Sequence, residues 1–107
     1  MVILFQEEYV SDILSGKKEW TIRKGNRGYR YKVNSIHKCK TRLFSKEYFA
    51  RIKIRELVFK TFGELDEQDA KDDLFDSVDA MKERLQELNG GIPPDTVMTK
   101  IHFKRVE

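Results

Sequence analysis

The chain is 107 residues long, 39% hydrophobic and 36% charged, with a formal net charge of +3 and a single cysteine, Cys39. That length supports one hydrophobic core and not two, and no apolar run approaches the ~20 residues that cross a bilayer. One thiol forms neither an intrachain disulfide nor a thiolate metal site, so the expectation is a single cytoplasmic domain over residues 1–107 with no membrane partner.

Met1-Val2-Ile3-Leu4-Phe5 lacks a basic start and is followed at once by Glu7 and Glu8, which reads as a first strand rather than a signal peptide. Val10, Ile13 and Leu14 then recur at helical spacing. Glu7 and Glu8 sit where the helix dipole favours negative charge, and Gly16 can take the left-handed position past the end, so this helix should stop near Ser15. In the strand that follows, Trp20 and Ile22 point to one side, while Glu19, Thr21 and Arg23 point to the other. Lys18 has the wrong parity and must reach Thr21 from the turn. Residues 24–31 hold two glycines and an asparagine, the composition of an exposed loop, and carry Lys24, Arg27 and Arg30 beside Tyr29 and Tyr31.

Residues 35–40 alternate as a short strand, with Ile36, Lys38 and Lys40 opposite His37 and Cys39. The clearest strand runs from Tyr48 to Phe59: Tyr48, Ala50, Ile52 and Ile54 form an apolar face, and Phe49, Arg51, Lys53 and Arg55 a largely basic one. Leu57-Val58-Phe59 breaks the alternation, which predicts a bulge near Glu56. Thr61-Phe62-Gly63-Glu64 has the spacing of a capping box ahead of a short acidic helix. A second helix is expected from about Asp76, with Val78, Met81, Leu85 and Leu88 on its apolar face, ended by Asn89-Gly90-Gly91 and Pro93-Pro94. Val97 to Phe103 reads as a closing strand beside the first. Strands outnumber helices and are mostly joined by turns, which predicts an α+β chain: a small mixed β-barrel of about five or six strands with two or three flanking helices.

Charge is segregated along the chain. Residues 17–60 hold 15 Lys or Arg against Glu19, Glu47 and Glu56, whereas residues 64–95 hold 11 Asp or Glu against Lys71, Lys82 and Arg84. Local rather than net charge sets the near field, so the basic half with its interleaved aromatics points to RNA or a nucleotide as partner. Lys17, Arg23, Lys24, Arg27, Arg30, Arg51, Lys53 and Arg55 are the expected phosphate and base-edge contacts, and Trp20 and Tyr31 the expected stacking rings. The competing readings are a core position for Trp20 and a structural ion pair between Arg23 and Asp73 or Glu64. His37 and His102 lie on different strands with no ligand-spaced neighbour, and Gly25-Asn26-Arg27-Gly28 is not a phosphate loop. No metal or cofactor is therefore expected.

The run Ile13-Leu14-Ser15-Gly16-Lys17-Lys18 followed by Thr21-Ile22-Arg23, together with the acidic stretch Glu64 to Ala70, Asp73-Leu74-Phe75 and the terminal strand, resembles the signature of the ASCH domain. This branch of the PUA-like superfamily implies a small mixed barrel with flanking helices. Its bacterial N4-acetylcytidine amidohydrolases share the lysine, threonine and arginine spacing. By that resemblance Thr21 is a nucleophile, Lys18 its proton acceptor and Asp73 the proton donor, the last standing where relatives often have glutamate. The resemblance thus implies two functions: an RNA- or nucleotide-binding module, or an amidohydrolase acting on a modified nucleoside. The second is chemically coherent, because a threonine alkoxide needs a neutral amine in reach and the leaving amine a protonated carboxyl.

Overall fold

The computed structural model describes residues 1–107. It contains strands β1 (Val2–Leu4), β2 (Trp20–Lys24), β3 (Ile36–Lys40), β4 (Ala50–Thr61) and β5 (Val97–Arg105). The helices are α1 (Val10–Leu14), α2 (Glu67–Asp72) and α3 (Val78–Asn89), with 3₁₀ turns at Glu7–Tyr9 and Phe62–Glu64. The five strands form one sheet in the order β1-β3-β4-β5-β2, in which β1 runs parallel to β3 and every other pair is antiparallel. This is the expected α+β architecture. The ladder remains open between β1 and β2, so the expected barrel is an unclosed sheet. β5 lies between β4 and β2 rather than beside the first strand, because its nine residues pair along the whole of β2 on one side and most of β4 on the other.

Local signals placed most elements. Alternation along β3 buries His37 and Cys39 and exposes Ile36 and Lys38. The register of β4 against β5 slips between Ile54 and Glu56, the bulge that the broken alternation predicts. Glu64 accepts the Thr61 N–H at 2.8 Å, but that box caps only a 3₁₀ turn. Asp66 then opens α2 with a second box: its carboxylate accepts the Asp69 N–H at 3.1 Å, and Asp69 returns the bond to the Asp66 N–H at 2.9 Å. Ser77 rather than Asp76 caps α3, accepting the Ala80 N–H at 3.1 Å.

Both faces of the sheet are covered. On one, Ile3, Phe5, Ile13, Ile52, Ile54, Ile101 and Phe103 pack into a core under α1. On the other, Ile22 and Met98 pack with Phe62, Leu65, Ala70, Met81, Leu85 and Ile92 beneath α2 and α3. Alternation in β2 and β5 therefore serves two interiors, which is why Met98, Thr99, Lys100 and Ile101 are all buried in succession. No helix is long and apolar enough to cross a membrane.

Candidate functional site

β2 is an edge strand, and its free side borders a cleft of about 300 Å³. Thr21 and Arg23, of one parity, and Ile22 and Lys24, of the other, all line it, so the cleft runs along the strand edge where the two cores meet. Phe5, Gln6 and Tyr9 form one wall, and Phe75, Arg84, Leu85 and Leu88 the other. An ion pair between Arg84 of α3 and Glu8, at 2.9 Å, ties the second wall to the first.

The floor is polar and buried. Lys18, 3% exposed, leaves the α1–β2 turn, where its backbone N–H is bound to the Asp12 carbonyl at 2.9 Å. Its ammonium donates to Asp73 Oδ1 and lies 4.8 Å from the centre of the Tyr9 ring. Asp73, 6% exposed, is the C-cap of α2, and the next residue, Leu74, takes a left-handed φ of 64° that turns the chain out of the helix. Burial raises the Asp73 carboxyl above its ordinary value, outweighing the opposing pull of Lys18, Arg23 and Lys100. Thr21 Oγ1 accepts from Arg23 Nε at 3.3 Å, which leaves the hydroxyl proton free to donate. Arg23 itself lies with its guanidinium 4.8 Å from the centre of the Phe5 ring. Burial lowers its pKa from the ordinary arginine value.

Lys24 and Arg27 reach the cleft mouth because the loop after β2 is pinned to β5. Buried Thr99 donates to the Gly25 carbonyl at 2.6 Å and accepts the Arg27 N–H at 2.9 Å, and Gly25 supplies the positive φ of 89° that the turn requires. Lys18, Arg23, Lys24, Arg27 and Arg84 make five cations in the lining against one carboxylate, Asp73. With Lys18 paired to Asp73 and Arg84 to Glu8 and Glu87, it is Arg23, Lys24 and Arg27 that leave the field of the cleft positive.

Of the residues singled out from sequence, Lys18, Thr21, Arg23, Lys24, Arg27 and Asp73 converge on this cleft. The others lie elsewhere. Trp20 shares the face of Ile22 and Lys24 but lies outside the cleft lining, stacked on His102 at 4.5 Å with Lys100 Nζ 4.3 Å from its ring centre. Tyr31 is buried in the first core, edge-on to His37 at 5.0 Å. Arg30 donates to the Val2 carbonyl at 3.1 Å, and Lys17 is exposed on the α1–β2 turn. Arg51, Lys53 and Arg55 stay on β4, outside the cleft lining, with Arg51 3.8 Å from Glu107. Tyr9, Arg84 and the apolar wall were not anticipated. Arg84 alone carried a signal, as one of three cations in the acidic half.

Cys39 is fully buried, which pushes its thiol up to about 12 and makes it inert at neutral pH. His37 is held neutral by burial, with its Nε2 2.8 Å from Ser35 Oγ, and His102 sits against Trp20. No group of three His, Cys, Asp or Glu side chains is placed to hold a metal ion.

No known family model and no curated protein matches this sequence. Solved structures do match. An ASCH domain from Lactobacillus crispatus JV V101 superposes with a TM-score of 0.73 at 16% identity, over 99% of this chain and 77% of that one. Hypothetical protein PH0355 gives a TM-score of 0.73 at 18% identity, over 95% of this chain and 94% of that one. Protein EF3133 from Enterococcus faecalis V583, of the family DUF984, gives 0.66 at 14% identity, over 92% of this chain and 70% of its own.

Proposed function

From a chain with the ASCH-domain fold, we propose an RNA- or nucleotide-binding module that takes one base or nucleoside into the cleft along β2. The observation that carries this reading is the cleft's make-up: about 300 Å³, a polar floor, an apolar wall and five cations to one carboxylate. Arg23, Lys24, Arg27 and Arg84 would hold phosphates. Thr21 and the Arg23 fork would meet polar atoms on the base edge, and Phe75, Leu85 and Leu88 would cover the base face. Lys17, Arg30, Arg51, Lys53 and Arg55 would bear on phosphates farther along a strand. The test is the affinity of the protein for a single-stranded RNA oligonucleotide across a salt series. Affinity should be highest at low ionic strength, with its logarithm falling linearly against the logarithm of salt concentration. Absence of binding at low salt, or indifference to salt, ends this reading.

One observation favours a second, catalytic reading: Asp73, despite its short side chain, reaches Lys18, and the two meet in the cleft that Thr21 also lines. In that reading the proton shared by Lys18 and Asp73 rests on the carboxyl, and Thr21 Oγ attacks the acetyl carbonyl carbon of N4-acetylcytidine while its own proton passes to Lys18 Nζ. The C–N bond then breaks, Asp73 protonates the departing N4, and cytidine leaves. Water hydrolyses the acetyl-threonine ester to acetate. The raised pKa of Asp73 favours the protonated carboxyl that this scheme needs. Incubation with N4-acetylcytidine, followed by absorbance, should show turnover that Thr21→Ala and Lys18→Ala each abolish. With no turnover, only the binding reading stands.

A further inference from the structure

Beyond the cleft, the segment between β3 and β4 presents one aromatic ring wholly to solvent. Phe44 is 95% exposed and its neighbour Leu43 50%. An exposed phenyl group forgoes roughly 1.5–3 kcal/mol of burial free energy, and among the exposed apolar side chains Phe44 is the most exposed. The loop around it is tied down: Lys40 Nζ donates to the Ser45 carbonyl at 2.5 Å, the Ser45 N–H to the Arg42 carbonyl at 3.2 Å, and the Glu47 N–H to Ser45 Oγ at 3.1 Å. These bonds hold the backbone of the turn on either side of Phe44, so part of the ordering cost is met before any partner arrives.

Two further features define the partner. Thr41, at the start of this turn, lines the cleft, so Phe44 stands three residues, at most about 10 Å of chain, from its rim. Lys40, Arg42 and Lys46 lie within four residues of Phe44 in the chain, with Glu47 the one acid as near. An open aromatic ring with cations beside it in sequence, a few residues from a cationic cleft, matches a strand that alternates flat bases with phosphates.

We propose that Phe44 is a stacking platform for a base flanking the one held in the cleft, with Arg42 and Lys46 on the adjoining phosphates, so that the protein engages single-stranded RNA across at least two nucleotides. This inference rests on the binding reading above. The partner is a single-stranded polyanion with planar bases rather than a lipid surface, because Phe44 and half-exposed Leu43 together make too small an apolar face to anchor in a bilayer.

Phe44→Ala, Phe44→Leu and Phe44→Tyr should all fold, since the position is solvated. Each would be titrated at low salt with a single-stranded RNA heptamer, with cytidine monophosphate, and with vesicles of phosphatidylcholine and phosphatidylserine. The expected result is a loss of about tenfold in heptamer affinity for Phe44→Ala and Phe44→Leu, recovery in Phe44→Tyr, and unchanged affinity for the mononucleotide. If wild type binds the heptamer and Phe44→Ala binds it equally well, the platform is refuted while the cleft reading stands. If wild type binds neither heptamer nor mononucleotide, both fall together. Vesicle binding that Phe44→Leu preserves and Phe44→Ala loses would overturn the proposal in favour of a membrane contact.

Discussion

Asp69, in the first turn of α2, and Asp73, its C-cap, sit one turn apart and both are buried, yet their carboxyls shift in opposite directions. Asp69 faces the sheet and accepts Lys60 Nζ at 2.6 Å, Lys100 Nζ at 2.8 Å and the Asp66 N–H at 2.9 Å. Burial pushes its carboxyl up, but hydrogen bonds from Lys100, Lys60 and the Asp66 N–H prevail and hold it at about 2. Asp73 faces the cleft with Lys18 as its only hydrogen-bonded cation, and there burial prevails and raises the carboxyl. Deeper burial and fewer donors at Asp73 together set the opposite signs. The well-supplied side holds α2 against β4 and β5, and the under-supplied side keeps acceptor capacity for something that enters the cleft.

The severest way to break this contrast is to remove the anchor. Asp69→Ala leaves Lys100 buried with Asp72 alone, at 2.6 Å, and leaves Lys60 with Asp66 at 3.5 Å. Unfolding free energy should fall by about 3–5 kcal/mol, read as a lower urea midpoint. A loss below about 1 kcal/mol would rank this network with ordinary surface pairs.

The cleft pair should behave otherwise. Replacing both partners, Lys18→Met with Asp73→Leu, removes two desolvated charges together, so stability should hold or rise by about 1 kcal/mol while RNA affinity at the cleft is lost. Destabilisation as large as that of Asp69→Ala would mean that the two pairs do the same work.

Titration sharpens the comparison. The depressed Asp69 contributes stability that is complete above its ordinary value of 3.8 and is lost as pH falls toward about 2. Raised Asp73 has the opposite sign: its contribution is complete below 3.8 and lost as pH climbs through its folded value. Carboxyl carbon NMR should find the Asp69 midpoint near 2 and the Asp73 midpoint above 3.8. The reverse order would refute the account of burial and donor number.

The smallest effect concerns the turn that aims Asp73. Leu74 adopts φ 64° and is 39% exposed. Leu74→Gly should therefore relieve left-handed strain and raise stability by about 1 kcal/mol in the same urea measurement. A decrease would show that the leucine side chain contributes more packing than its backbone costs.

Much of the local structure was legible. Helical spacing of Val10, Ile13 and Leu14 with Gly16 behind them placed α1 and its end, and the broken alternation at Leu57 placed the bulge of β4. The cleft was half legible: Thr21 and Arg23 share a face by parity, and the resemblance nominated Lys18 and Asp73. Trp20 was read as core or as a stacking ring, and parity told which side of the strand it takes, not that His102 and Lys100 already lie against it there. The burial of Tyr31 was not legible either, since a loop rich in glycine gave no sign that its last residue enters the core.

Periodicity, caps and turn residues act over a few positions, so the chain's own order of residues determined the elements, the bulge and the segregation of charge. Which strands neighbour one another, that the sheet stays open, and that Lys18 meets Asp73 across 55 residues were decided only in three dimensions. Such pairings depend on which faces can be buried together, and on how many donors a buried carboxylate finds when they are.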